Sequence, residues 1–461
     1  MKLFLRQHKT NIFFVCLILL LGSIKYFYQA IVLNPFEIDQ EFLALEAWNY
    51  IKVGKATLIG AHTSTGGMYI GPFYTYFITV VMALTNLNPW SINLLSATWA
   101  TLTAVALYFV GKHLFSREVG VVAGLIAATS ISYLTILEVP PLVVPLGLVS
   151  LLTFYCLSQI DQHRWLLLAA VFLGGVGIHL HFTGIYLSIF IILWMITRKI
   201  KPTIKETIIS IGMILFFLSP LILFDLRHNF LNSRNFITFL LTTNGLKVII
   251  MSLQRSFWLA LGSLGALFNN FQTHNLLISS IVWGIFVIYF IFNRRRTLNH
   301  KLLLTWLIFP IIVNGLYSGE LLPYYYILHH AQIFLVIGLL LEPIVRHKNG
   351  TTAFITLTLL YTILNLRYHQ ARPNAFRLQN KMAAFETIRR IGGDPNSVNL
   401  SLTIDFARRG GIEFLQKYYG YDTQLLKERP TYTIVSPHAW HRLKGDYTFG
   451  EFDVILPEKK P

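Results

Sequence analysis

Apolar blocks about as long as a bilayer core is thick recur along this chain, and that repeat constrains its fold more than any other feature. They run near 11–31, 91–111, 118–136, 142–160, 165–180, 184–197, 207–224, 276–292, 302–317, 326–342 and 351–366. A helix of about 20 residues crosses the hydrocarbon core. Inside that core every backbone polar group must be paired within the segment, which leaves helices as the available structure. Hydrophobic residues make up 54% of the 461 residues and charged ones 13%, too little polar surface for a soluble domain. The blocks predict an all-α polytopic membrane protein with about eleven transmembrane helices.

The formal net charge of +17 invites a nucleic-acid reading, but its distribution argues against one. Alternation places loops 1–10, 112–117, 161–164, 198–206, 293–301 and 343–350 on one side, and each is basic. That is the bias that marks cytoplasmic loops, so the N-terminus is expected in the cytoplasm. Lys2, Arg6 and Lys9 precede an apolar run from Ile12 with no small-residue cleavage pattern after it. The run therefore reads as a retained first helix. Cys16 and Cys156 lie on different apolar blocks without metal-ligand spacing, so neither a disulfide nor a metal site is expected. Lys25, inside the first block, is expected to snorkel outward.

The other side receives the unusual segments: a first outer loop, 32–90, a long loop, 225–275, and the polar tail from Arg367. Long loops on a rigid scaffold are where function is usually built. The tail mixes helical patterns (Lys381–Arg390, Gly411–Tyr419) with β-like runs (Ser401–Phe406, Thr431–Val435, Phe452–Leu456). It is expected to be a small extracytoplasmic α/β domain, 367–461, after a transmembrane domain, 1–366. Asp405-Phe-Ala-Arg-Arg-Gly-Gly within it reads as a strand-to-helix turn, with a ligand loop as the other reading.

Several residues on that side can carry chemistry. Asp39 and Glu41 begin a helical pattern (Phe42, Leu43, Leu45, Ala47, Trp48, Ile51) that ends at Gly54. Carboxylates are favoured in a first helical turn, so capping and a chemical role both stay open. Gly71-Pro72 opens a second helix with the aromatics Phe73, Tyr74, Tyr76 and Phe77, which suit the water–lipid boundary. Glu138 precedes Val139-Pro-Pro at the outer end of the third block. It is either a solvated turn residue or, at the depth of Asp39, its partner in dividing base and orienting roles. His179 and His181 end the fifth block; at i, i+2 they do not share a helix face, so a metal pair is weak. They suit headgroup or phosphate contact, or a plain interfacial role. Arg227 and His228 in Asp225-Leu-Arg-His-Asn, with Arg234, Lys247 and Arg255 beyond, are cations kept on the side that is otherwise poor in them. They suit a phosphate ligand or anionic lipid headgroups.

Together these segments resemble class C glycosyltransferases, notably family 39 and its protein O-mannosyltransferase-like bacterial members. Asp39-Gln-Glu-Phe-Leu-Ala-Leu-Glu-Ala-Trp-Asn-Tyr-Ile-Lys-Val-Gly54 is similar to their first outer-loop motif. Gly71-Pro-Phe-Tyr-Thr-Tyr-Phe-Ile resembles their juxtamembrane segment, and Gly111-Lys-His-Leu-Phe and Asp225-Leu-Arg-His-Asn-Phe also look like bacterial members. The resemblance spans most of 11–342 and rests on order and spacing. It implies a class C glycosyltransferase-like fold and transfer of a sugar from a polyprenyl-phosphate carrier to an acceptor outside a bacterial plasma membrane. It carries the catalytic role onto Asp39 and a second acidic role onto Glu138. Arg227, His228 and Arg255 are then candidates for the donor phosphate, and Glu41, Tyr74, His179 and His181 for substrate or interface contacts. Its expected partners are the lipid-linked donor, membrane lipids and an acceptor, with no cofactor, metal or nucleic acid. Gln40 stands where the family has an acidic neighbour, and Val-Pro-Pro follows Glu138 in place of the usual charged pattern. The rival reading is a transporter or flippase of lipid-linked sugars, which would show internal repeats and paired intramembrane charges. Neither stands out in this sequence.

Overall fold

A computed structural model of the chain describes residues 2–32, 36–63, 67–130, 140–241, 246–265, 276–292, 297–317, 319, 321–370, 377–405, 409–421, 426, 429–436 and 445–457. The chain is mostly helical with one small sheet, as the apolar blocks predict. The first block forms α1 (Lys2–Gly22) and continues through a π-turn, Ser23–Phe27, into a short helix, Tyr28–Val32. Two further helices follow, α2 (Ile38–Trp48) and α3 (Phe73–Leu84). Then come α4 (Trp90–Leu114), α5 (Arg117–Thr129), α6 (Val144–Gln159), α7 (Leu166–Ile178), α8 (Ile185–Thr197) and α9 (Ile204–Arg227). The long loop holds α10 (Leu231–Leu241) and α11 (Leu246–Gly265). It leads to α12 (Leu276–Phe292), α13 (Leu298–Gly315), α14 (Ile327–Arg346) and α15 (Gly350–Gln370). All eleven predicted spans fall on helices in their described residues; 131–136 of the third lie outside them. The segments Lys9–Ile31, Trp90–Leu114, Ile204–Arg227, Leu298–Gly315 and Tyr324–Arg346 are each long and apolar enough to cross a bilayer alone, and several others are apolar but shorter.

The chain forms two compact units. One comprises Met1–Phe27, Thr57–Tyr74 and Ser96–Leu366; the other comprises Tyr28–Ala56, Thr75–Leu95 and Arg367–Pro461. In the first unit α5 packs on α1 and α14, and small residues permit a close approach. A Cβ at Gly120 would lie 2.3 Å from the carbonyl oxygen of Tyr108 on α4. Ser116 caps α5 by accepting from the Val119 N–H (3.3 Å), which satisfies one orphan donor of the first turn. The other end of α5 receives Lys25. Its side chain is 1% exposed and donates to the Ser130 carbonyl, beside Tyr26, whose hydroxyl donates to Ala127 O. Lys25 therefore does not snorkel. An ammonium on the free carbonyls of a helix C-terminus is paired with both the end dipole and an orphan acceptor.

In the second unit the tail forms β1 (Asn399–Ile404), β2 (Thr431–Ser436), β3 (Tyr447–Phe449) and β4 (Phe452–Ile455) in the order β1-β2-β4-β3. β1 and β2 are parallel, pairing Leu400 with Tyr432 and Leu402 with Ile434. A parallel pair needs a crossover, and α17 (Ile412–Tyr419) lies in the connection; α16 (Leu378–Gly392) precedes β1. Phe385, Ile388, Phe414, Leu415, Ile434 and Val454 form the core. The predicted elements of the tail all appear; β3, three residues long, is additional.

Candidate active site

The second unit holds the Asp39–Gly54 motif. Helix α2 opens at Glu37, whose N–H donates to the side-chain oxygen of Gln40 (3.2 Å), the second half of a capping box. Gln40 is buried and closes the cap, so this departure from the family pattern has a local structural use. Leu43, Ala44 and Ala47 form the buried stripe of α2. The helix runs through a π-turn (Asn49–Val53) to Gly54, whose φ of 73° is a left-handed stop. Capping thus falls to Glu37 rather than Asp39. Asp39 lies within the first turn, half-buried, and its carboxylate has no hydrogen-bond or ion-pair partner among the described residues. Burial raises its pKa above the ordinary aspartate value.

Glu41, two residues on, is engaged. It accepts from the backbone N–H groups of Glu413 (2.8 Å) and Phe414 (3.2 Å), at the N-terminus of α17. Burial pushes its pKa up and those amides pull it back. A carboxylate on the free donors of a helix N-terminus is a strong tie; Glu41 holds the tail to α2. Lys381 on α16 reinforces this. It is fully buried and donates to Phe36 O (2.9 Å), Gly410 O (2.7 Å) and Glu37 Oε1 (3.2 Å).

The first unit holds the remaining described candidates. Tyr74 is buried, and its hydroxyl donates to the Pro141 carbonyl at 3.4 Å. His179 is built into the fold at both ring nitrogens. Nδ1 accepts from the Phe73 N–H (3.2 Å) at the start of α3, and Nε2–H donates to Phe217 O (2.9 Å). The ring stacks on Phe73 at 4.2 Å. These bonds require a neutral ring and leave no nitrogen for phosphate, so His179 positions rather than binds. His181 caps the 3-10 turn Phe182–Gly184: its Nδ1 accepts from the Thr183 N–H (3.2 Å). Its ring meets Tyr324 and Tyr325, and its Nε2 has no partner among the described residues.

Gly71 explains why the Gly-Pro opening takes that form. A Cβ there would sit 1.9 Å from Nδ1 of His179. Gly71→Ala is expected to destabilise the fold by about 1–3 kcal/mol, read as a lower unfolding midpoint of the purified protein. Gly71→Ala added to His179→Ala should then cost little more than His179→Ala alone. An unchanged midpoint for Gly71→Ala would contradict the close contact.

Beyond α9 the chain is fixed by Asp225. Its buried carboxylate accepts from the N–H groups of Asn232 (2.7 Å) and Ser233 (3.0 Å) and from the Ser233 hydroxyl (2.5 Å). That seats α10, from which Asn232 pairs with both backbone groups of Tyr69 (2.8 and 3.2 Å), and Asn235 donates to Gly67 O (2.9 Å). Arg227, the last residue of α9, is exposed without a partner among the described residues. His228 donates from Nδ1 to Phe224 O (2.8 Å) and stacks on that ring, leaving Nε2 outward-capable. Arg255 on α11 donates to Gly319 O, and its buried Nε is unpaired among the described residues. Glu138 lies outside the described residues, as do Phe406, Ala407 and Arg408 of the tail's turn. Asp39 and Glu41 thus share one compact unit, while Tyr74, His179, His181, Arg227, His228 and Arg255 belong to the other.

The profile of the dolichyl-phosphate-mannose-protein mannosyltransferase family matches residues 70–224, from the Gly71-Pro turn to the end of α9. A search of curated proteins finds no match. Among solved structures, ArnT from Cupriavidus metallidurans in the apo state aligns with a TM-score of 0.60 at 12% identity, over 98% of this chain and 98% of that one. The same protein bound to undecaprenyl phosphate aligns at 0.56 and 11% identity, over 97% and 98%. The Archaeoglobus fulgidus oligosaccharyltransferase aligns at 0.53 and 12% identity, over 88% of this chain and 61% of that one. At such identities the structural likeness speaks for the fold, and the family profile speaks for residues 70–224. The chain is a multi-pass membrane protein with the fold of these solved structures, and its residues 70–224 match the dolichyl-phosphate-mannose-protein mannosyltransferase family.

Proposed function

We propose that this protein transfers a sugar from a polyprenyl-phosphate donor to an acceptor hydroxyl on the extracytoplasmic face of a bacterial plasma membrane, with Asp39 as general base. The observation that carries the reading is the Asp39 carboxylate, half-buried, without a partner among the described residues and raised in pKa by burial. It lies in a chain whose 70–224 segment matches a family named for a lipid-phosphate sugar. The alignment with a protein solved with undecaprenyl phosphate agrees. In the domain scheme that goes with this reading, residues 1–366 handle the membrane and the donor, and 367–461 form the extracytoplasmic tail.

In the reaction the acceptor O–H proton passes to Asp39. The acceptor oxygen bonds the anomeric carbon from the face opposite the phosphate, and the bond from that carbon to the phosphate oxygen breaks with its electron pair. Polyprenyl phosphate leaves, and the anomeric configuration inverts. The donor is a phosphodiester with one negative charge, while the leaving group carries nearly two. Cations placed on the phosphate therefore favour the transition state over the ground state. Arg227, with a free guanidinium, suits that task best. His228 through Nε2, Arg255 through Nε, and Glu138 as an orienting carboxylate complete the assignment.

The test is turnover of radiolabelled polyprenyl-phosphate sugars by the purified protein, read as transfer or as donor hydrolysis. A protein that binds such donors and turns over none of them is not a transferase of this kind. Within this scheme Arg227→Ala raises the donor KM about tenfold or more, the loss of one charge-assisted contact, and leaves the unfolding midpoint unchanged. An unaltered KM would return Arg227 to solvent or to lipid headgroups.

A further inference from the structure

The tail contains a concave site formed by residues to which no role has yet been given. A cavity of about 710 Å³ is lined by Met382, Glu386, Arg389 and Arg390 of α16 and by Tyr418 and Tyr419 of α17. The α16 residues recur at positions i, i+4, i+7 and i+8, one face of a helix. The walls are fixed from behind. Tyr419 stacks on the core residue Phe385 at 5.5 Å with the rings 8° from parallel, and Tyr418 lies against Phe414 and Tyr419. The Tyr419 hydroxyl donates to Glu386 Oε1 at 3.0 Å, which sets the carboxylate in place. Arg389 and Arg390 are exposed and have no ion-pair partner among the described residues.

The plainest account of two arginines in a last helical turn is the helix dipole. That account predicts side chains spread into water; it does not predict a cavity with two anchored tyrosines and an oriented carboxylate. The mixture of groups narrows the ligand. A simple phosphate site has no use for Glu386, which would repel the anion. A neutral sugar site has no use for two unpaired guanidiniums. A ligand with both hydroxyl groups and an acidic group uses all of them: hydroxyls donate to the spare lone pairs of Glu386, the acidic group takes a guanidinium fork, and the apolar face of a ring lies on tyrosine. The site is open to solvent along much of its rim, so a saccharide would lie along it with one side in water.

We infer that this cavity of Glu386, Arg389, Arg390, Tyr418 and Tyr419 binds an acidic saccharide, the acceptor of the transfer. As an acceptor site it rests on the transferase reading above; as a saccharide site it stands apart from it. The cavity lies in the compact unit that also contains Asp39.

The test is direct binding to the full-length protein in nanodiscs of neutral lipid, using trigalacturonate, maltotriose and inorganic phosphate as probes. Trigalacturonate is expected to bind at least tenfold more tightly than either of the others. The double variant Arg389→Ala/Arg390→Ala should lose that preference at least tenfold, and Tyr418→Ala should weaken trigalacturonate severalfold with the unfolding midpoint unchanged. Absence of trigalacturonate binding, equal binding of maltotriose or of phosphate, or an unaffected double variant each overturns the proposal. So does arginine-dependent binding to vesicles containing phosphatidylglycerol by a protein that ignores trigalacturonate, since the site would then take headgroups. Asp39→Asn should bind trigalacturonate as wild type does. Wild-type binding without turnover of any polyprenyl-phosphate donor would uphold the saccharide site and remove the transferase reading alone.

Discussion

Asp39→Asn is expected to give a folded protein whose transfer rate is lower by about 10²–10⁴-fold, the usual worth of a positioned general base. The substitution keeps size and shape and removes only the ability to take a proton. The cap of α2 is untouched because Glu37 and Gln40 form it, and no described residue bonds to the Asp39 side chain. Lost activity would therefore report lost chemistry rather than a lost fold. Two pH readouts sharpen this. The base works when ionised, so kcat/KM should fall as pH drops through the Asp39 pKa, and burial puts that limb above the ordinary value of 3.8. Stability should move the other way. Between 3.8 and its raised pKa the folded state binds more protons than the unfolded one, so Asp39 makes the fold less stable as pH rises through that window. Asn carries no such penalty. The variant should be at least as stable as wild type at neutral pH, and that advantage should vanish below pH 3.8. A variant that keeps full transfer, or is inactive only because it unfolds, would end the assignment.

Which parts of this molecule were legible in the sequence follows from how far each interaction reaches along the chain. The helices were legible because a bilayer imposes one length and one composition, and the Gly54 boundary because its left-handed φ is a local demand, whereas what Gly71 makes room for, the ring of His179, is distant in the chain. The role of Asp39 was undecided between capping and chemistry because a cap is settled by one dihedral and one hydrogen bond. Glu37, not Asp39, took that position. His179 and Glu41 looked like ligand residues because unpaired polar side chains near a membrane surface do. Their partners, the Phe73 amide with the Phe217 carbonyl and the amides of Glu413 and Phe414, lie 38 to 373 residues away. No local pattern announces such pairings. The buried place of Lys25 is illegible for the same reason, its acceptor being 105 residues distant. Lys381 did leave a local trace: with Leu378, Ala384, Phe385 and Ile388 it falls on the buried stripe of α16, where a lysine has to have partners.

That stripe carries the second large effect. Lys381→Met should loosen the second unit by about 3–5 kcal/mol, the cost of removing one partner from a buried charged cluster. Methionine nearly conserves volume, so the loss isolates the three hydrogen bonds. Two of them end on backbone carbonyls, Phe36 O and Gly410 O, and each buried acceptor left without a donor costs about 1–3 kcal/mol. The third, to Glu37, contributes less because that carboxylate is about one-third exposed. The measurement is limited proteolysis of the tail in the intact protein, which reads local opening directly; a Met variant as resistant as wild type would show that the cluster holds nothing. A pH series adds a check with a definite sign. Burial holds the Lys381 pKa below 10.5, opposed in part by Glu37. In the window below 10.5 the unfolded chain binds more protons, so wild-type resistance should rise with pH there, and the Met variant should lack that rise. Since Phe36 and Glu37 are the entry to α2, the same substitution frees the turn that carries Asp39. Transfer should fall with it, while Arg389→Ala/Arg390→Ala, on the exposed face of the same helix, leaves proteolytic resistance unchanged.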